Sequence, residues 1–231
     1  MNVFNFEIRA FRAVDDIPSC ELFAAGHAKV LLDYGVTKVT SSSTAWFHNP
    51  AVYVIIVKNL DTEEIAGGVR VHIADGITPL PLEDAISIVD ERIFDLVRSH
   101  IPNRTAELCG LWNAKSTAGL GLGSYVLMRA GISLATQLNL SSLFALCAPH
   151  TLQISVEKGF EIEKSIGNEG TFIYPKLDLI ATSIIIRDVD SLPMALENER
   201  ELIWALRENP ICFKEEVGAK STLRIYYNLA L

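Results

Sequence analysis

At 231 residues, with 49% hydrophobic and 21% charged positions, the chain has the length and composition of one globular domain with a sizeable core, which excludes a disordered protein. A net charge of −8 and the lack of any dense Lys/Arg run argue against non-specific nucleic-acid binding. No stretch approaches about eighteen uninterrupted apolar residues, and the opening MNVFNFEIRAF is not a basic segment leading into an apolar one. Neither a membrane span nor a signal peptide is expected, and the reading is cytoplasmic.

Residues 3–14 alternate as a first strand, and Asp15-Asp16-Ile17-Pro18 turns into an amphipathic helix over 18–35 that Gly35 ends. The run Ser41-Ser42-Ser43-Thr44 reads as a solvated connection rather than a lid, with Trp46 and His48 beyond it. The β-rich runs 51–59 and 64–75 flank a short polar break and form a hairpin. Residues 76–104 open on Pro79 and Pro81, continue as a helix through SIVDERIFDLVRS and end at Pro102.

A buried strand from Leu108 to Trp112 comes next, then a polar loop with Gly119, Gly121 and Gly123, then a helix to about Leu138. The continuous apolar run LFALCA (143–148) suits a strand covered on both faces, and Pro149 and His150 open a helix that Gly159 closes. Strand, helix, strand, helix is the crossover unit of a parallel pair. Two more strands are expected at 171–175 and 181–187, a polar amphipathic helix at 191–208, and an edge strand at 224–231.

The four cysteines, Cys20, Cys109, Cys147 and Cys212, form no C-x-x-C pair, and the five histidines show no metal-ligand spacing, so no metal is expected. Cys109 and Cys147 lie in apolar strands and read as reduced core residues. Burial there suppresses the thiolate, which disfavours Cys147 as a nucleophile.

A strand running through a glycine loop into a helix N-terminus is an anion site: loop N–H groups converge on the ligand and the helix dipole adds positive potential. A Walker A loop is excluded because Gly123 precedes Ser124 and Tyr125 with no lysine, and a dinucleotide fingerprint because Ser124 stands where the third glycine belongs. Ala118-Gly119-Leu120-Gly121-Leu122-Gly123 instead resembles the pyrophosphate loop of the GCN5-related N-acyltransferases, Arg/Gln-x-x-Gly-x-Gly/Ala. Here Ala118 occupies the Arg/Gln position. The alternative is a turn that only lets a helix pack closely on a strand.

The order of elements is similar to that family's over roughly residues 4–187, and VEKGF (156–160) resembles its later Gly-Phe motif. The autoinducer (acyl-homoserine lactone) synthase branch looks closest in plan: Gly67-Gly68-Val69-Arg70, the insertion, then Glu107-Leu108-Cys109-Gly110-Leu111. Cys109 and Gly110 depart from that branch's Ser and Arg, and its Asp-x-Tyr/Phe-Asp signature is not found near the start of the chain. The resemblance implies an α/β (α+β) fold, with a mixed, mostly antiparallel sheet, a central splayed parallel strand pair and helices on both faces. One domain over 1–231 is expected, with a core at about 4–187, a helical insertion at 76–104 and a C-terminal extension at 188–231.

The implied activity is acyl transfer from acyl-CoA, or an acyl carrier protein, to a small amine or amino-acid-like acceptor by direct attack. Such an amine must lose a proton, and Glu107 is the leading base; its other reading is an ion pair, for instance with Arg70. Arg70, His150 and Tyr174 are the expected substrate contacts. His150 stands where a strand ends in an open α/β sheet, but also reads as an ordinary helix-start residue. Leu111, Trp112 and Asn113 are expected to offer backbone N–H groups to the thioester, and Gly119, Leu120, Gly121, Leu122, Gly123 and Ser124 to hold the coenzyme A pyrophosphate. Ser155 stands where the family often carries a tyrosine that protonates the leaving thiolate, which leaves Tyr174 as another donor. A protein that keeps the fold and binds acyl-CoA without turnover is the alternative, to which Ala118, Gly110 and Ser155 point. The C-terminal helix and strand could serve a homodimer contact.

Overall fold

In a computed structural model, the described residues are 2–33, 35, 44–174, 179–217 and 221–231. Residues 41–43 of the serine run and 175 of the expected strand 171–175 lie outside them. The strands are β1 (Asn2–Arg12), β2 (Val52–Asn59), β3 (Ile65–Ile73), β4 (Thr105–Asn113), β5 (Ser142–Cys147), β6 (Glu161–Ile162), β7 (Thr171–Ile173), β8 (Ile180–Ile186), β9 (Ile211–Val217) and β10 (Ser221–Asn228). Among the described residues they form one ten-stranded sheet in the order β6-β8-β5-β4-β3-β2-β1-β10-β9, with β7 also paired to β8. Only β4–β5 and β1–β10 run parallel. The expected mixed, mostly antiparallel architecture is present.

The helices are α1 (Ile17–Asp33), α2 (Pro81–Ile86), α3 (Arg92–His100), α4 (Met128–Gln137), α5 (Pro149–Glu157) and α6 (Glu197–Glu208). Asp16 starts α1 by accepting the Ser19 N–H at 3.1 Å, and Gly35, at φ +68°, follows its end with an N–H bond to the Leu32 carbonyl. The period-2 pattern divides the core. On one face Phe6, Ile8, Ile55, Val57, Val69, Val71 and Leu108 pack with α4 and α6. On the other, Val52, Val54 and Ile56 pack with Phe23 of α1 and Trp46, while Leu82, Ile86, Ile93 and Val97 of α2 and α3 cover Phe144 and Ile185. Each such side chain contributes roughly 1.5–3 kcal/mol on burial. Gly26 lets α1 lie on the sheet: a Cβ there would stand 2.0 Å from the Trp112 ring.

Three expectations need correction. The insertion holds two helices rather than one through 87–99. Asp90 interrupts it: its carboxylate takes the Arg92 N–H at 3.1 Å and the Gly167 N–H at 2.8 Å. The C-terminal helix begins at Glu197, not 191, because Asp188 holds residues 190 and 191 in a turn through their N–H groups. The last strand is interior to the sheet, between β1 and β9, so β9 forms the edge. Among the described residues no helix is long and apolar enough to cross a membrane.

Candidate active site

β4 and β5 pair only at Thr105–Ser142, Ala106–Leu143 and Glu107–Phe144, although both strands continue beyond that point. Past Glu107 they separate into a V. A bulge in β4 accompanies the split: its register with β3 shifts between Arg70–Cys109 and Gly68–Trp112, with Gly110 at φ +60°. The bulge also turns the backbone. The Ala114 N–H bonds the Ala66 carbonyl at 2.8 Å, so by ladder alternation Trp112 spends its backbone groups on β3. Asn113 therefore aims its own toward the gap, and Leu111 lies in the bulge beside it.

The glycine loop lies beyond the open end of β4. Gly119 and Gly121 have φ of +80° and +83°, a region an L side chain rarely adopts, and Gly121 precedes a π-helical turn, Leu122–Leu127, that runs into α4. The Tyr125 and Val126 N–H groups both bond the Gly121 carbonyl, leaving those of residues 122–124 as the helix N-terminal donors. Leu122 is buried in the core and anchors the turn, while Leu120 packs at its border. Gly123 lies against Asn113; a Cβ there would approach the Asn113 side chain to 3.1 Å. The loop thus sits directly against the end of the splayed strand.

Glu107 stands at the apex of the V and is only 2% exposed. One carboxylate oxygen accepts the Leu82 N–H at 2.8 Å, so the side chain also caps α2. Burial pushes its pKa up to about 8, against the opposing pull of the Leu82 N–H and the Arg70 guanidinium. Arg70 is buried on β3, its guanidinium 4.3 Å from the Trp46 ring centre and 5.7 Å from that of Phe23. The same cation acts electrostatically on Cys109, His27 and His72. Burial drives the Cys109 thiol to about 12 and that of Cys147 to about 11, so neither is a ready nucleophile.

Glu107, Arg70 and the end of β4 therefore share one buried region, whereas His150 and Tyr174 stand apart from it. His150 is exposed in the first turn of α5, and Tyr174 follows β7, beyond β8 from β5, with its N–H on the Leu179 carbonyl. The Ser155 hydroxyl is buried and donates to the Thr151 carbonyl at 2.9 Å.

Sequence reading passed over His72, the direct cross-strand partner of Glu107. Its Nε2 accepts from Asn49 Nδ2 at 3.2 Å, and its Nδ1 has no hydrogen-bond partner among the described residues. The signal was available: His72 alternates with Val71 and Ile73, two residues from Arg70 on the same face. Burial, then the Arg70 charge, lowers both His27 and His72 to about 4. Their folded pKa values lie below the ordinary 6.5, so the stability held by the neutral rings is complete above 6.5 and is lost as pH falls through 4. Urea unfolding between pH 4.5 and 6.5 should show each ring adding up to one proton of uptake, set against the one proton that Glu107 releases. His72→Gln should lower the net uptake there by up to one proton.

No protein-family model and no curated protein sequence matches the chain. Solved structures do. The N-acyl amino acid synthase FeeM from uncultured soil microbes superposes with TM-score 0.61 at 15% identity, covering 84% of this chain and 96% of its own. MesI, a CoA-dependent acyl-homoserine lactone synthase, gives 0.53 at 13%, covering 93% and 98%. An acyl-CoA N-acyltransferase from Pseudomonas aeruginosa gives 0.54 at 9%, covering 78% and 98%. The splayed β4–β5 pair, the glycine loop and the ten-stranded sheet thus belong to a chain with the GCN5-related N-acyltransferase fold, which it shares with these solved structures.

Proposed function

We propose that the protein transfers an acyl group from an acyl thioester, acyl-CoA or an acyl carrier protein, to a small amine without a covalent enzyme intermediate. The observation that carries this reading is the placement of a buried carboxyl with a pKa of about 8 at the apex of a strand fork whose mouth is a glycine loop. Backbone N–H groups of residues 122–124 would receive the donor's phosphates, with no side chain at Ala118 to assist. The thioester would lie in the V, its carbonyl oxygen toward the N–H groups of Leu111 and Asn113.

The amine nitrogen attacks the carbonyl carbon and gives its extra proton to the Glu107 carboxylate. The tetrahedral intermediate collapses, the C–S bond breaks, and the thiolate leaves and is protonated. A base of pKa about 8 is better matched to an ammonium group than an ordinary glutamate of about 4.5. Arg70, beside Glu107, suits an acceptor with a carboxylate. A second reading, acyl-thioester binding without turnover, is favoured by the hydrogen bond that commits one Glu107 oxygen to α2.

Thermal unfolding with coenzyme A, acetyl-CoA, a long-chain acyl-CoA and NAD in parallel tests the donor. A ligand at about 100 times its Kd adds roughly 2.7 kcal/mol, a shift of several degrees. The shift should be graded across the acyl-CoA series and missing with NAD. Thiol release in the presence of amines then separates turnover from binding. No shift and no release with any acyl-CoA or acylated carrier protein would overturn both readings.

A further inference from the structure

Among the described residues β9 has no strand on its outer side, and its composition fits one partner well. The Leu229 N–H bonds the Pro210 carbonyl at 2.8 Å, and the β9–β10 register continues from there through Ile211–Asn228. Ladder alternation then turns the backbone groups of Cys212, Lys214 and Glu216 toward β10, and those of Ile211, Phe213, Glu215 and Val217 toward the free edge. The side chains of these four outward-bonding residues share one sheet face, where Phe213 is 62% and Val217 73% exposed. Tyr226 of β10, cross-strand from Phe213, extends the apolar surface, and α1 packs on β2, β3 and β4 instead. Such an edge is a template for another strand.

A second copy of β9 supplies a complementary one. A two-fold axis perpendicular to the sheet keeps each residue on its own face, so self-pairing must be centred on a residue. Centring on Lys214 sets two lysines opposite each other and Phe213 against Glu215. Centring on Phe213 sets Ile211 against Glu215, and centring on Glu216 sets Val217 against Glu215. Centring on Glu215 pairs Phe213 with Val217 of the second copy and Lys214 with its Glu216. The two central Glu215 side chains are each neutralised within their own chain by Arg224, Nε to Oε1 at 2.8 Å. The free backbone groups of Phe213, Glu215 and Val217 then all find partners.

We infer that β9 is a homodimer interface: two copies pair antiparallel about Glu215, joining their sheets into one. The inference is independent of the acyl-transfer reading. Sedimentation equilibrium over a wide concentration range should show a monomer–dimer equilibrium, with Lys214→Glu raising the dissociation constant about tenfold through its two symmetric contacts. In a Cys212→Ser background, Glu215→Cys should oxidise to a covalent dimer, because residues opposed in a hydrogen-bonded pair have Cα atoms about 5.5 Å apart, within disulfide range. Lys214→Cys should not cross-link. A monomer at every concentration overturns the inference. So does a dimer in which Glu215→Cys fails to cross-link or Lys214→Glu changes nothing, since either places the contact elsewhere. Unchanged circular dichroism of each variant secures the comparison.

Discussion

Replacing Glu107 by glutamine should remove acyl transfer and at the same time make the protein more stable above neutral pH. Folding raises the Glu107 pKa from 4.5 to about 8, so its stabilising, protonated state is fully present below 4.5 and is lost as pH rises through 8. Glutamine keeps an oxygen for the Leu82 N–H and never ionises. By pH 9 the variant should therefore exceed the native protein by a few kcal/mol, a melting-point difference of several degrees. At pH 4.5 the difference should close. Activity should move oppositely: kcat/KM for the native protein rises with pH to a plateau above about 8, and the variant loses roughly 10²–10⁴-fold. Glu107→Ala should instead cost about 1–3 kcal/mol at low pH, because the buried Leu82 N–H is left without an acceptor. Melting curves and initial rates across pH 4.5–9 check all three. A variant that is more stable yet fully active would leave Glu107 as a helix cap alone.

The second large effect is expected at Glu199, on the opposite face of the sheet. Arg129 of α4 meets it with Nε at 3.2 Å and Nη2 at 3.1 Å, and Lys158 Nζ stands 3.4 Å away. Arg129 also pairs with Glu216 of β9, and Lys158 lies 4.5 Å from the Tyr125 ring centre, behind the glycine loop. Burial pushes the Glu199 carboxyl up, but Arg129 and then Lys158 outweigh it and hold the group below its ordinary range. Glu199→Ala would strand a fully buried ammonium and leave the buried Arg129 guanidinium with Glu216 alone, with an expected loss of about 3–5 kcal/mol. That is a large share of a typical domain's stability of roughly 5–15 kcal/mol. Adding Lys158→Met should recover part of it, whereas Lys158→Met alone removes one buried charge and should cost less. Urea midpoints of the single and double variants measure the coupling. Additive effects would mean that the ammonium and carboxylate do not act as a pair.

What the sequence disclosed follows from how local each signal is. LFALCA names a strand by itself, the glycines name a turn at Gly121, and Asp16 and Gly35 bracket a helix within a few residues. Strand β9 was missed because Lys214-Glu215-Glu216 interrupts its apolar alternation, and the two carboxylates find their arginines, Arg224 and Arg129, only in the folded chain. The helical break at Asp90 was missed because one of its carboxylate's partners, Gly167, is 77 positions away. At the site, the pairing of Glu107 with the strand fork was readable from the order of elements. Its hydrogen bond to Leu82, the presence of His72 and the aromatic surroundings of Arg70 were not. Each depends on segments that meet only in three dimensions.

The parallel pairing of β1 with β10 joins residues 2–9 to residues 221–228, nearly the whole length of the chain apart. During synthesis, one flank of β1 must wait for its neighbour until residues 221–228 have been made. Until then Phe6 and Ile8 lack the cover of Leu223, Ile225 and Tyr227. The loop closure must come before this pairing rewards it, so β1 and β10 should join later than the local hairpin of β2 and β3.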